Sequence, residues 1–230
     1  MGMAEGRAAR PSKTRARILA ACRELFNARG LAEVTTAEMA AAAGIAEGNL
    51  HYHFQRKEQL VEALFGEFEE ALAATATADL VQGDDLRRSA GYLKGWFRLM
   101  WDWRFFYRDG PSVVRIAPSL RPRIHRLTAD GQRQISRAIT AMREAGILRV
   151  PATETDRLVV NAWIVSAYWI DYLRTRHGVA EITREHVDRG ASQLFGLFVP
   201  YLDEKGRRLA ADAGLLPGEG VAAPPASAPP

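Results

Sequence analysis

Cysteine is almost missing from these 230 residues; Cys22 is the only one. That excludes an internal disulfide framework and any metal cluster built on thiolates alone. Long apolar runs are missing too. The nearest, Val159 to Leu173, is broken by Asn161, Ser166 and Asp171 and is too short and polar to span a bilayer. The first residues are small and basic and lack the hydrophobic stretch of a secretion signal. The chain therefore reads as cytoplasmic, with no membrane partner. Charge of one sign is scarce: 31 Lys and Arg against 27 Asp and Glu leave +4. So small an excess permits a nucleic-acid partner without establishing one. No glycine-rich phosphate loop follows a strand, no HExxH occurs, and Cys22 has no evident histidine partner. The sequence thus predicts no enzyme, no cofactor and no metal.

Helical signals, by contrast, run nearly end to end. From Lys13 the residues Ile18, Leu19, Cys22, Leu25 and Phe26 share one face at a period near 3.6, and Asn27 and Gly30 close that helix. Thr35-Thr36-Ala37-Glu38 is a capping box opening a short helix to Ala43, which Gly44 stops. Another short helix spans Ala46 to His53, and a fourth begins at Lys57 with Leu60, Leu64, Phe68 and Leu72 on one stripe. After a break at Val81–Asp85 comes an aromatic helix, Leu86 to Arg108, then a turn at Asp109-Gly110-Pro111 and a short helix from Ser112 to Ile116. Longer helices are expected over Leu120–Ala145, from a capping box at Thr153–Asp156 to Arg176, and over Thr183–Leu202. Beyond Lys205 the chain turns to Ala, Gly and Pro, which predicts disorder. The fold class is all-α, and the divisions are a flexible basic arm (1–12), a three-helix unit (13–58), a larger helical bundle (59–205) and a tail (206–230).

Two short helices joined by Ala43-Gly44-Ile45 form the sequence pattern of a helix-turn-helix. Met39, Ile45 and Leu50 can pack on the first helix. Glu47, Gly48, Asn49, His51, Tyr52 and His53 then lie on or near the outer side of a helix sized for a DNA major groove. Asn49 carries the paired donor and acceptor that a base edge can meet. Tyr52 and His53 can reach bases or phosphates, while His51 and Lys57 suit backbone oxygens. The amides that open the Thr36 helix can meet a phosphate as well. Arg7, Arg10, Lys13, Arg15 and Arg17 face only Glu5 in the arm, a local excess that says more than the global charge. His51 and His53 are two residues apart and point in different directions, so they do not read as a metal pair. Phe54 and Cys22 read as core.

These residues resemble the TetR-type family of transcriptional regulators. The resemblance runs through Thr14-Arg15-Ala16-Arg17-Ile18-Leu19, Leu25-Phe26, Gly30, Thr35-Thr36, Met39-Ala40, Ala43-Gly44-Ile45, Gly48 to Phe54 and Lys57-Glu58-Gln59-Leu60. It implies that this unit is a DNA reader, with Thr36, His51 and Lys57 toward the phosphates and Glu47, Gly48, Asn49, Tyr52 and His53 toward the groove; Lys13, Arg15 and Thr35 join them as expected DNA-binding residues. The family most often carries Tyr at the place of His51, so a phenol contact becomes an imidazole one. Ala37 is too short for the base contact some members make there.

One short recognition helix buries too little surface for tight, specific binding, and a dimer presenting two of them about 34 Å apart repairs this. The resemblance implies that the last two long helices make that dimer. The helical spacing puts Ala162, Trp163, Ser166 and Trp169 on one face and Gly190, Ala191, Leu194 and Phe198 on the next, though the same faces could be ordinary core. The resemblance also implies an effector pocket in the bundle. An aromatic wall of Trp101 and Phe105 would suit a small apolar or aromatic compound, with Arg104 and Arg108 for an acidic head group. The reading is a ligand-responsive repressor that binds a palindromic operator as a homodimer. An activator of the same architecture, or a helical interaction module without DNA binding, remains open.

Overall fold

The computed structural model describes residues 13–76, 95–212 and 216. The basic arm, the Val81–Asp85 break, the start of the aromatic helix and the tail from residue 217 lie outside the described residues. The described residues form helices joined by turns and loops, and the one β-bridge among them is antiparallel, Leu148 to Leu202. In chain order the helices are α1 (Lys13–Arg29), α2 (Thr36–Ala42), α3 (Glu47–His53), α4 (Lys57–Ala76), α5 (95–102), α6 (Arg104–Arg108), α7 (Gly110–Ile116), α8 (Arg121–Glu144), α9 (Ala152–His177), α10 (Arg184–Gly196) and α11 (Glu204–Asp212). The expected all-helical fold, with a helix-turn-helix ahead of a larger bundle, is what the chain adopts.

The first four helices form around Ile18, Leu19, Phe26, Leu50, Leu60 and Leu64, all withdrawn from water. The same core continues without a gap into Trp103, Phe105, Val113 and Leu120 of the bundle. Polar bonds fasten this joint. Asn27 Nδ2 donates to the Asp102 carbonyl at 2.8 Å, and its Oδ1 accepts from Phe105 N at 3.2 Å. Arg108 donates to the carbonyls of Phe26 and Asn27, which close α1, at 2.5 and 3.0 Å. Asp109 holds the Arg108 fork and accepts from Leu31 N at 2.8 Å. A helix C-terminus leaves carbonyls unsatisfied, and a guanidinium answers both their hydrogen bonding and their partial charge.

Three expectations change. The aromatic stretch is two helices, because Trp103 leaves helical geometry at φ −121°, ψ 27°. The start of α9 has no capping box: Pro151 occupies the N-cap, and Glu154 instead accepts from the Tyr201 hydroxyl at 2.6 Å. The tail begins later than Lys205. Helix α11 continues to Asp212, with Asp203 Oδ1 accepting from Gly206 N at 2.7 Å at its start. Gly206 sits where any Cβ would strike the Ile147 carbonyl, so this glycine marks a packed contact rather than a loose end.

Candidate nucleic-acid interface

Local chemistry sets the geometry of the reading helix. Thr35 and Glu38 form the expected box: Thr35 N and Oγ1 both donate to Glu38 Oε2, and Glu38 N donates back to Thr35 Oγ1. The backbone N–H of Thr35, then Arg29 and the Thr35 hydroxyl, hold the Glu38 carboxyl down at about 2. At the other end of α2, Ile45 N reaches Ala40 O and Gly44 N reaches Ala41 O, both at 3.0 Å. Gly44 has φ +63°, and this paired closure needs that left-handed residue. Since nothing lies within 4 Å of a Cβ at Gly44, backbone conformation and not space selects the glycine. The turn sends α3 across α2, with Leu50 inward against Met39.

Opposite Leu50, the outer face of α3 carries Glu47, Gly48, Asn49, His51 and Tyr52, all exposed. Tyr52 stands 83% exposed, with its ring edge-on to His53, itself half-buried, at 5.3 Å. Around Gly48 there is open space. Glu47 is not free: it accepts from the Thr36 hydroxyl at 2.6 Å and stands 4.0 Å from His51 Nε2. Glu47 and Thr36 thus brace α3 against α2 before any partner arrives. Lys13 is exposed at the start of α1.

Three expected DNA-binding residues are engaged elsewhere. Lys57 turns inward, donating from Nζ to the carbonyls of Leu31 and Val34, each at 2.6 Å. Burial pushes its pKa down, against the pull of Cys22, Glu33 and Glu38. The loop between α1 and α2 leaves those carbonyls without helical partners, and the lysine supplies them. Arg15 lies over the Phe54 ring at 4.8 Å, and the Thr35 hydroxyl is held in the capping box. Cys22 is buried as expected, its thiol pushed up to about 12 by desolvation, with Lys57 opposing.

In the bundle, the expected pocket residues are displaced. Phe105 is wholly buried core, tilted against Phe26 at 5.5 Å. Trp101 is covered by Arg104 at 4.4 Å, and Arg104 lines a separate, smaller cleft. Of the four, only Arg108 lines the main cavity, and its guanidinium is committed to α1. That cavity is about 730 Å³ and mostly apolar, walled by Phe65, Phe68, Trp96, Phe106, Tyr107 and Trp163 among others. The break at Trp103 decides which neighbours enter it. A clue was present in Gly131, in mid-helix on α8: a Cβ there would collide with the Trp163 ring.

Of the eight expected dimer residues, four are withdrawn from the surface of the single chain. Ala162, Ser166, Gly190 and Leu194 are buried in their own subunit. Trp169 packs over Gly190 and donates to the His186 carbonyl at 2.6 Å, Trp163 turns to Gly131, and Ala191 and Phe198 are half-buried beside the same core. Helix α9 is apolar on two sides, and its outward side carries Val160, Ile164, Tyr168 and Tyr172 at four-residue spacing, all exposed.

Two family models match in tandem: "Bacterial regulatory proteins, tetR family" over residues 18–64 and "Bacterial transcriptional repressor" of the TetR type over 66–209. The chain belongs to the TetR family. As a member it is a DNA-binding transcriptional regulator, not an enzyme, with an architecture that is homodimeric. A TetR-family transcriptional regulator from Marinobacter aquaeolei VT8 superposes with TM-score 0.78 at 30% identity, covering 89% of this chain and all of that one. Among curated relatives, TtgR of Pseudomonas putida is 40% identical over 58 residues, 25% of this chain and 28% of that protein. The repressor KstR2 of Mycolicibacterium smegmatis is 36% identical over 86 residues, 34% of this chain and 42% of that protein. The match to these two curated relatives therefore spans less than half of each. Among the described residues, no helix is long and apolar enough to cross a membrane.

Proposed function

We propose that this regulator represses transcription by binding a twofold-symmetric operator as a homodimer, and that a flat, apolar compound in the large cavity releases it. The observation that carries the DNA reading is the outer face of α3, where Gly48, Asn49 and Tyr52 stand exposed on a helix anchored from behind by Leu50. Asn49 and Tyr52 meet base edges in the major groove. Gly48 lets the backbone come close, His51 and Lys13 meet phosphates, and Thr36 trades its Glu47 bond for a phosphate. Glu47 and His53 flank this contact.

The reader is taken to be 13–58 and the bundle 59–212, since α11 packs on it to Asp212. The two move as one body because they share a core and the Asn27, Arg108 and Asp109 bonds. The second copy covers the Val160, Ile164, Tyr168 and Tyr172 stripe. Tyr168 also lines the large cavity, so effector and dimer geometry meet at one helix. An effector acts through its different affinities for two dimer geometries. The protein works in the cytoplasm, where its operator is. Selection of bound DNA from a random pool tests this: the expected motif is a palindrome with half-sites about one helical turn, roughly 34 Å, apart. Recovery of no enriched sequence would overturn it.

A further inference from the structure

A second cleft, of about 270 Å³, lies between the last turn of α1, helix α6, and the end of α9 with the loop that follows. Its chemistry is opposite to that of the large cavity. Arg104, Arg108 and Arg174 line it against a single carboxylate, Glu181, with Asn27 and Ala28 of α1 as one wall. The two spaces share only Arg108.

The three arginines are not equivalent. Arg108 commits four of its five N–H donors to the Phe26 and Asn27 carbonyls and to Asp109, so it forms a fixed wall. Arg104 directs one N–H to the Trp101 carbonyl at 2.9 Å and lies over the Trp101 ring at 4.4 Å, which holds the rest of its fork in place without using it. Burial works against the charge of Arg104 and the like charge of Arg108 adds to this, while Glu24 and Asp102 oppose it. Arg174, exposed on the last turns of α9, makes no hydrogen bond or ion pair among the described residues, and neither does Glu181. Two guanidinium groups with open donors, one of them oriented by stacking, are suited to the paired oxygens of a carboxylate or phosphate.

We infer that this cleft binds a small dianion bearing carboxylate or phosphate groups, held between Arg104 and Arg174. The cleft is smaller than sites for drug-sized compounds, which fits a ligand of few atoms. Its occupant would rest on Asn27 and Ala28, the end of the helix that carries the reader, so the anion is sensed at the joint between reader and bundle.

The test is calorimetric titration of the full chain with succinate and, separately, inorganic phosphate, at an ionic strength held constant with sodium chloride. Saturable binding of at least one is expected, and the arm that responds identifies the group. Arg174→Gln should weaken that binding about tenfold or more, the loss of a charge-assisted contact, with Arg174→Lys in between. The unliganded Arg174→Gln protein should stay close to the wild-type melting temperature, because the Arg174 side chain makes no hydrogen bond or ion pair among the described residues. Absence of saturable binding with both anions, or equal affinity in wild type and Arg174→Gln, would overturn the assignment.

Discussion

Lys57 and Gly48 show how differently two residues of the same reader are determined. Lys57 sits where the family motif puts a phosphate ligand, yet its ammonium closes the carbonyls of Leu31 and Val34. Removing it orphans two acceptors in a half-buried place. Lys57→Met should therefore lower stability by about 2 kcal/mol, read as a lower midpoint in urea. The slope of DNA affinity against salt should stay at the wild-type value, whereas loss of a phosphate ligand would flatten it. Gly48 has no neighbour within 4 Å and no unusual backbone, so nothing inside the protein asks for glycine. Gly48→Ala should raise the melting temperature slightly, by about 0.5 kcal/mol of helix propensity. It should also weaken operator binding, because the added methyl occupies the space of the closest approach. Unchanged affinity in a gel-shift titration would remove Gly48 from the contact.

At the scale of elements, what could be read in advance was what acts over a few residues. The box at Thr35 and Glu38, the left-handed Gly44 and the inward Leu50 each depend on neighbours within one or two turns, and α2, the turn and α3 appear where those signals put them. What depends on a third element was not legible. Phe105 and Phe106 are adjacent and equally apolar, and how α6 is seated against α1 and α4 decides that the first is wholly buried beside Phe26 while the second also borders the cavity. Helix α9 offers apolar residues on two sides, so periodicity alone could not say which side faces its own bundle. The mid-helix Gly131 could have pointed to the cavity wall, since a glycine there costs helix stability without a close neighbour. Gly131→Ala should drive the Trp163 ring from its seat and partly fill the cavity. Tryptophan fluorescence should shift, and binding of a polycyclic apolar probe should weaken. An unshifted spectrum with undiminished probe binding would contradict that packing.

For the whole molecule, reader and bundle share one hydrophobic core, and the proposed function assigns the exposed stripe of α9 to a second copy. Ile164 is 49% exposed in the single chain. Ile164→Glu would bury a like charge from each copy with no partner. Sedimentation should show the dimer weakened on the order of a hundredfold, with helical content unchanged by circular dichroism. An intact dimer would move the interface to another face.

The central claim is that the outer face of α3 reads bases, and Asn49 tests it most directly. Random-pool selection with Asn49→Ala should yield the wild-type palindrome with preference relaxed at one symmetric pair of positions, while affinity for unrelated DNA stays the same. The same motif at full strength from both proteins would show that the bases are read by some other surface.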